Sequence, residues 1–180
     1  MRSRLVSLLG ILLMTVALAA GAQGPTLAVT AATAKIDGVF EDREYSLVTE
    51  AAGIKLGLTR TPDTLFIGLS APTTGWVSVG LGSRTMDGAI MYIGYISGAT
   101  TELKVQKGSG HRHADVDAGS PLRYAMKEAG GQTVLELALQ ASEVIAKGQN
   151  ALELSVAMGS ADSFVSMHRA RASLTVALAQ

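Results

Sequence analysis

The sequence predicts an all-β fold, an antiparallel sandwich of about ten strands. Three observations support this prediction. Within short segments, apolar and polar residues alternate at a period of two. Turn residues separate these segments at regular intervals. The 20 glycines supply the backbone angles that tight turns need. Most links between the predicted strands are too short for the helical crossovers that join parallel strands. We therefore expect one β-rich domain.

The first half of the chain contains most of the clear alternation. Residues 23–34 are small and mixed in polarity, and we expect a loose lead-in that joins an edge strand. Pro62 and Pro72 lie in turns between apolar segments, because proline supplies a turn angle and interrupts a strand. The predicted strands are residues 54–59, 65–70, 76–81, 89–96 and 101–106.

The second half continues in the same style after a polar interval. We expect a long loop over residues 107–120, which are rich in Gly, His and Asp, and one or two helical turns over residues 141–147. Gly130 and Gly131 predict a hairpin turn. The predicted strands are residues 123–128, 133–139, a segment around 152–156 and a segment around 174–178.

The N-terminal residues predict export. Arg2 and Arg4 precede an apolar run over residues 5–20, and Ala20-Gly21-Ala22 fits the small-x-small cleavage pattern. An uncleaved anchor is the alternative, but the run is shorter than the ~20 residues that a spanning helix needs. We expect a signal peptide over residues 1–22 and a mature domain over residues 23–180, located in the periplasm or outside the cell.

Charge and composition exclude several classes of protein. With 15 basic and 15 acidic residues the chain has no net field to attract nucleic acid. The chain contains no cysteine, so it forms no disulfide and cannot attach a haem covalently through Cys-x-x-Cys-His. No nucleophile elbow, phosphate-binding loop or His-Glu-x-x-His pair is present in the sequence. We do not expect this chain to be an enzyme by itself.

Two polar pairs are candidates for a metal site. His111 and His113 would point the same way on an extended segment and so could share a metal, although a solvated loop is the alternative. Asp115 and Asp117 resemble the start of a calcium loop, but no carboxylate follows at the closing position. An ordinary turn is the alternative for this second pair.

Met86 and His168 are the third candidate pair. Met86 follows the predicted strand over residues 76–81, and His168 precedes the last predicted strand. A thioether and an imidazole can together fill both axial positions of a haem iron, a pairing found in electron-transfer proteins. From spacing alone the alternatives stay open, with Met86 filling a gap in the core and His168 on the surface.

The order of several short motifs resembles the DOMON family of extracytoplasmic domains. These motifs are Ile36-Asp37-Gly38, Glu44-Tyr45, the Gly-Trp-Val strand over residues 74–81, and Met86-Asp87-Gly88-Ala89. The family includes domains related to the N-terminal part of dopamine β-monooxygenase and to the cytochrome domain of cellobiose dehydrogenase. The resemblance implies an immunoglobulin-like sandwich that binds haem b or a sugar, and it covers nearly the whole mature chain.

The resemblance also implies roles for individual residues. Met86 and His168 match the axial ligands of the haem-binding members, so the expected cofactor is non-covalent haem b. Ile90, Met91 and Ile93 would then form an apolar wall of the pocket. We expect Tyr92 to contact the ring or a propionate, and Arg84 and Arg169 to pair with propionates, solvated surface charge being the alternative for the two arginines.

The main hypothesis is therefore an exported electron carrier that serves a soluble or membrane-bound redox partner. The alternative is a carbohydrate- or small-ligand-binding module without a redox centre, for which Trp76, Tyr92, Tyr95 and Tyr124 are the available aromatic residues. An aromatic content of 4% is low for a surface that stacks sugar rings. A sandwich with a structural or partner-binding role is a third interpretation.

Overall fold

The computed structural model describes residues 24–117 and 119–179, and the signal peptide predicted for residues 1–22 lies outside this part of the chain. Strands dominate it, because each segment of period two presents one apolar face for burial. The strands are Thr26–Leu27 (β1), Leu47–Ala51 (β2), Ile54–Arg60 (β3), Thr64–Ala71 (β4), Val77–Leu81 (β5), Ile90–Ser97 (β6), Thr100–Ser109 (β7), Arg112–Asp115 (β8), Arg123–Ala129 (β9), Gln132–Gln140 (β10), Ala151–Gly159 (β11) and His168–Leu178 (β12), with a helical turn at Ala141–Val144 (α1) and a 3-10 turn at Asp42–Glu44.

The strands form two sheets, which confirms the predicted all-β sandwich. One sheet has seven strands in the order β1-β12-β11-β5-β6-β7-β8, and the other has five in the order β2-β3-β4-β10-β9. Neighbouring strands pair antiparallel except β1, which runs parallel to β12. In the described part of the chain, no helix has the length and hydropathy needed to span a membrane.

The core lies between the inner faces of the two sheets. Alternate residues of each central strand are fully buried there, for example Leu56 and Leu58 on β3 and Leu152 and Leu154 on β11. Burying one such side chain stabilises the fold by about 1.5–3 kcal/mol. Because successive side chains of a strand point to opposite faces, the residues between them face outward. The outward face of the seven-stranded sheet is the one that carries the candidate site.

The prediction of a loop over residues 107–120 is wrong for much of this segment. Strand β7 continues to Ser109, and β8 returns beside it to form a hairpin at the edge of the sheet. Pairing at an edge depends on backbone hydrogen bonds and needs no apolar alternation, so composition did not reveal it. The Asp115 carboxylate pairs across this hairpin with Lys104 Nζ at 2.9 Å and Gln106 Nε2 at 2.6 Å. Both bonds lower the pKa of Asp115, that from Gln106 the more.

A buried glutamate fastens the N-terminal segment to the outer face of the five-stranded sheet. Glu136, on β10, is fully buried. Its carboxylate accepts hydrogen bonds from the Tyr45 hydroxyl at 2.7 Å and from the backbone N–H groups of Asp37 at 2.9 Å and Gly38 at 2.8 Å. These three bonds satisfy a charge that would otherwise be costly to bury. The Ile36-Asp37-Gly38 and Glu44-Tyr45 motifs therefore have a structural role.

Tyr45 lies flat against the five-stranded sheet because two glycines leave room for its ring. A Cβ on Gly57 or Gly68 would collide with the ring or hydroxyl of Tyr45. Burial, followed by the hydrogen bond to Glu136, raises the pKa of Tyr45 far above its ordinary value. We call the contacts of Glu136 with Tyr45, Asp37 and Gly38 the latch. The latch lies on the opposite side of the sandwich from the candidate site.

Candidate functional site

A pocket of about 800 Å³ opens on the outer face of the seven-stranded sheet. This volume is within the range of about 300–1,000 Å³ that is usual for small-ligand sites. Outward side chains of β5, β6, β11 and β12 form its floor. The loop over residues 82–89, the loop over residues 160–167 and the β7–β8 hairpin form its walls.

The floor combines small residues with an apolar cluster. Ser78, Ser155 and Ala157 are outward residues of β5 and β11, and their short side chains leave space above the sheet. Beside them Trp76, Met91, Ile93 and Ala89 form a second apolar cluster, separate from the core of the sandwich, and Met86, Tyr95, Ala157 and Phe164 pack against it. The pocket therefore offers a mainly apolar surface to a ligand.

Met86 is held in the pocket wall by the β7–β8 hairpin. Gly108 accepts a backbone hydrogen bond from Gly88 at 3.1 Å and donates one to Ala89 at 3.0 Å. A Cβ on Gly108 would collide with the Met86 carbonyl oxygen, so this close approach requires glycine. The backbone N–H of Gly110 also donates to a carboxylate oxygen of Asp87 at 2.8 Å.

Arg84 lies at the other end of the same loop. Its backbone carbonyl accepts a hydrogen bond from the Ser173 hydroxyl on β12. Its side chain lines the pocket and approaches Glu153, with 3.7 Å between Nε and the carboxylate. This ion pair is exposed and long, so it contributes little to stability. The loop that carries Met86 is thus attached to both sides of the pocket.

His168 enters the pocket from the opposite wall as the first residue of β12. The preceding loop is anchored by Ser166, whose Oγ accepts the indole N–H of Trp76 at 2.8 Å and donates to the Ser163 carbonyl at 3.1 Å. Phe164 packs against Tyr95 with 4.7 Å between ring centroids. Met86 and His168, the pair expected from the sequence, therefore line one pocket, Met86 from a loop and His168 from the start of β12.

The other two histidines line this pocket as well. His111 is exposed at the turn of the β7–β8 hairpin, and His113 is half-buried on β8. The Nδ1 atom of His113 is buried and has no hydrogen-bond partner among the described residues. Within residues 24–117 and 119–179, no three His, Asp or Glu side chains group closely enough to hold a metal ion.

Tyr92 does not line the pocket, contrary to the sequence-based expectation. It lies on β6 between Met91 and Ile93, which do line it, so its side chain points to the opposite face of the sheet. Tyr92 is fully buried in the core, and its hydroxyl donates to the Gly119 carbonyl at 2.7 Å. Burial raises the pKa of Tyr92 to about 12. Ile90, which shares the parity of Tyr92, also packs against the core.

Arg169 is also outside the pocket lining. Its guanidinium donates to the Pro72 carbonyl and lies 3.4 Å from the sulfur of Met158. The pairing of β11 with β12 shifts register between Met158 and Gly159, opposite this part of β12. Arg171, which the sequence analysis did not select, lines the pocket beside Ser173. The alternation along β12 would have indicated Arg171 once the register was known.

Comparisons with known proteins identify the fold. No protein-family model and no curated protein sequence matches the chain. Among solved structures, the cytochrome b domain of pyranose dehydrogenase from Coprinopsis cinerea aligns with a TM-score of 0.55 at 12% identity, over 70% of this chain and 77% of that one. The cytochrome domain of cellobiose dehydrogenase from Myriococcum thermophilum aligns with a TM-score of 0.55 at 12% identity, over 74% and 81%.

A carbohydrate-binding module has a similar fold. The family 9 module from Caldicellulosiruptor kristjanssonii, solved with cellotriose, aligns with a TM-score of 0.51 at 13% identity, over 87% of this chain and 93% of that one. Identities this low show a common fold and carry no function across. The resemblance to cytochrome-type sandwiches is confirmed at the level of the fold. The chain thus has the sandwich architecture that these cytochrome domains and this sugar-binding module share.

Proposed function

We propose that the protein binds haem b non-covalently in the outer pocket and acts as an electron-transfer module for a redox partner. One observation carries this proposal: a thioether, Met86, and an imidazole, His168, line the same pocket from two separate segments of the chain. When bound, a haem with this pair of ligands supplies a one-electron couple and favours electron transfer over oxygen chemistry. The two cytochrome domains of similar fold support the proposal.

The residues of the pocket suit a flat, apolar, dianionic ligand. Met91, Ile93 and Trp76 provide an apolar surface that excludes water. Arg84 and Arg171 line the pocket and are exposed, which suits them to pair with carboxylates such as propionates. The amino-acid sequence provides no cysteine for a covalent link, so binding rests on coordination and packing alone.

The pocket is open to solvent on the side of the 160–167 loop. Val165 and Met167 line it and are 91% and 85% exposed. We infer that a redox partner approaches at this rim, where exposed apolar side chains favour a short-lived protein contact. An extracytoplasmic location, expected from residues 1–22, is part of the proposal.

The pocket geometry favours haem over a sugar. A carbohydrate platform needs an aromatic ring with a free face, whereas Trp76 is only 7% exposed and its indole N–H is bonded to Ser166. Tyr95 is half-buried and packs against Phe164. The similarity to a module solved with cellotriose therefore supports a shared sandwich more than a shared ligand.

A spectroscopic experiment tests the proposal. The purified protein is titrated with haem, and absorbance is recorded before and after reduction with dithionite. We expect a six-coordinate spectrum with one haem per chain, loss of six-coordination in Met86→Leu, and the same loss in His168→Leu. Met126→Leu is the matched control, because Met126 packs against the sandwich core. If added haem keeps the spectrum of free haem and the protein binds cellotriose instead, the proposal is overturned.

A further inference from the structure

His113 has a buried nitrogen with no partner among the described residues. Its Nδ1 is hidden from solvent and makes no hydrogen bond, and the Oε1 atom of Gln106 on the adjacent strand is in the same situation. Leaving a buried polar atom unpaired is destabilising, so native proteins rarely retain one without a ligand, a water or an ion. The imidazole of His113 is therefore available to a ligand.

Met86 lies next to His113. Gly108 is the residue directly opposite His113 in the β7–β8 hairpin, and the Cγ atom of Met86 is 3.1 Å from the position that a Gly108 Cβ would occupy. Cβ atoms of directly opposed residues are about 4.5–5.5 Å apart and share one face. The Met86 side chain thus covers the glycine that is paired with His113.

Met91 brings a second thioether to the same place. It projects outward from β6 opposite Gln106, which is two residues from Gly108 on β7. Met91 belongs to the apolar cluster against which Met86 packs. Methionine has three rotatable bonds and a polarisable sulfur, so both thioethers can turn toward one point near His113.

We propose that Met86, Met91 and His113 form a binding site for Cu(I). Thioethers and imidazole are the soft and intermediate ligands that select this ion, and the apolar surroundings disfavour hard, strongly hydrated cations. The two nearby carboxylates are already engaged, Asp115 with Lys104 and Gln106, and Asp87 with the Gly110 N–H. Binding is coordination alone, through two sulfurs and the Nδ1 lone pair, and the copper keeps its oxidation state.

The site goes beyond the proposed haem function and does not depend on it. The two assignments share Met86 and differ in the imidazole, His113 for Cu(I) and His168 for haem. Each ligand consequently prevents the other from using Met86, and prior loading with Cu(I) slows or blocks haem uptake.

An anaerobic competition experiment tests the site. The haem-free protein is titrated with Cu(I) in the presence of a chromophoric Cu(I) chelator, with Zn(II) as a comparison ion. We expect one Cu(I) per chain, and an affinity at least about tenfold lower in His113→Asn and in Met91→Leu, which corresponds to about 1.4 kcal/mol each. His111→Asn and Met126→Leu are the matched controls and retain the affinity, because His111 is exposed at the turn and Met126 lies on the core side.

A rescue variant separates loss of a ligand from loss of the fold. His113→Met supplies a third thioether and restores Cu(I) binding, while urea denaturation shows that each variant is folded. Unchanged affinity in folded His113→Asn, or Zn(II) binding as tight as Cu(I), overturns the inference. The two proposals fail separately. His168→Leu is expected to lose six-coordinate haem and keep Cu(I), whereas a protein that binds haem but no Cu(I) contradicts this inference alone.

Discussion

The indole N–H of Trp76 donates to the Ser166 hydroxyl at 2.8 Å and so joins two segments that are 90 residues apart in the chain. Trp76 immediately precedes β5 in the pocket floor, and Ser166 lies two residues before His168. A Cβ on Gly159 would collide with the Trp76 indole, so glycine at the end of β11 makes this arrangement possible. The wall that carries His168 is held against the floor by this bond.

Removing this bond should weaken both the fold and the pocket. Trp76→Phe keeps an aromatic ring and deletes the donor, and we expect a loss of about 1 kcal/mol in the free energy of unfolding with weaker haem binding. Urea denaturation and haem titration measure the two effects. Ser166→Ala removes the same bond from the other side, so the double variant should cost less than the sum of the two single variants. Full additivity would show that the bond does not couple the two segments.

Gly108→Ala should displace Met86. The added Cβ collides with the Met86 carbonyl, which is backbone and cannot turn away, so we expect a loss of about 1–3 kcal/mol in stability. Haem and Cu(I) affinity should fall together, because both proposed sites use Met86. Gly24→Ala is the control, since its Cβ would make only an ordinary contact at 3.7 Å. Wild-type stability and ligand affinity in Gly108→Ala would contradict the role given to this contact.

The latch on the five-stranded sheet should be separable from the pocket. Tyr45→Phe removes one of the three hydrogen bonds to the buried Glu136 carboxylate, and we expect a loss of about 1.5–3 kcal/mol in the free energy of unfolding. Chemical denaturation measures this loss. Haem titration of the same variant should match the wild type, because the latch and the pocket lie on opposite sides of the sandwich. A changed spectrum would contradict that independence.

Alkaline pH should destabilise the protein through Tyr92. Burial raises its folded-state pKa to about 12, whereas an unfolded tyrosine titrates at about 10. The folded state therefore binds this proton more tightly, and the resulting stability is complete below about pH 10 and is lost as pH rises through about 12. Urea denaturation between these values should show a decline that is shallower in Tyr92→Phe. An equal slope in the variant would exclude Tyr92 as a cause.

The strands with clear alternation could be predicted because each has one face to bury. Residues 54–59 and 65–70 became β3 and β4 with bounds shifted by at most one residue at each end. The β7–β8 hairpin could not be predicted in the same way, since its polar residues lie at a sheet edge where backbone pairing replaces apolar burial. His113 was therefore assigned to a loop, and its unpaired buried nitrogen had no signal in the sequence.

The site shows the same division at the level of single residues. Met86 and His168 could be paired because a thioether and an imidazole suit a haem iron and because their positions match the axial ligands of the family that the sequence resembles. Arg169 and Arg171 could not be told apart, because the register shift opposite Gly159 decides which of them lines the pocket. That shift depends on how β11 and β12 pair, which no local pattern in β12 contains.

The amino-acid sequence by itself determined that Met91 and Tyr92 face opposite sides of one strand, because side chains alternate along any extended backbone. Only the tertiary structure decided which side became the pocket. The five-stranded sheet packs over the face that carries Tyr92 and leaves the face that carries Met91 open, to be walled by loops distant in the chain. The alternation of side chains along a strand sets which residues share a face, whereas the packing of one sheet on the other sets which face is buried.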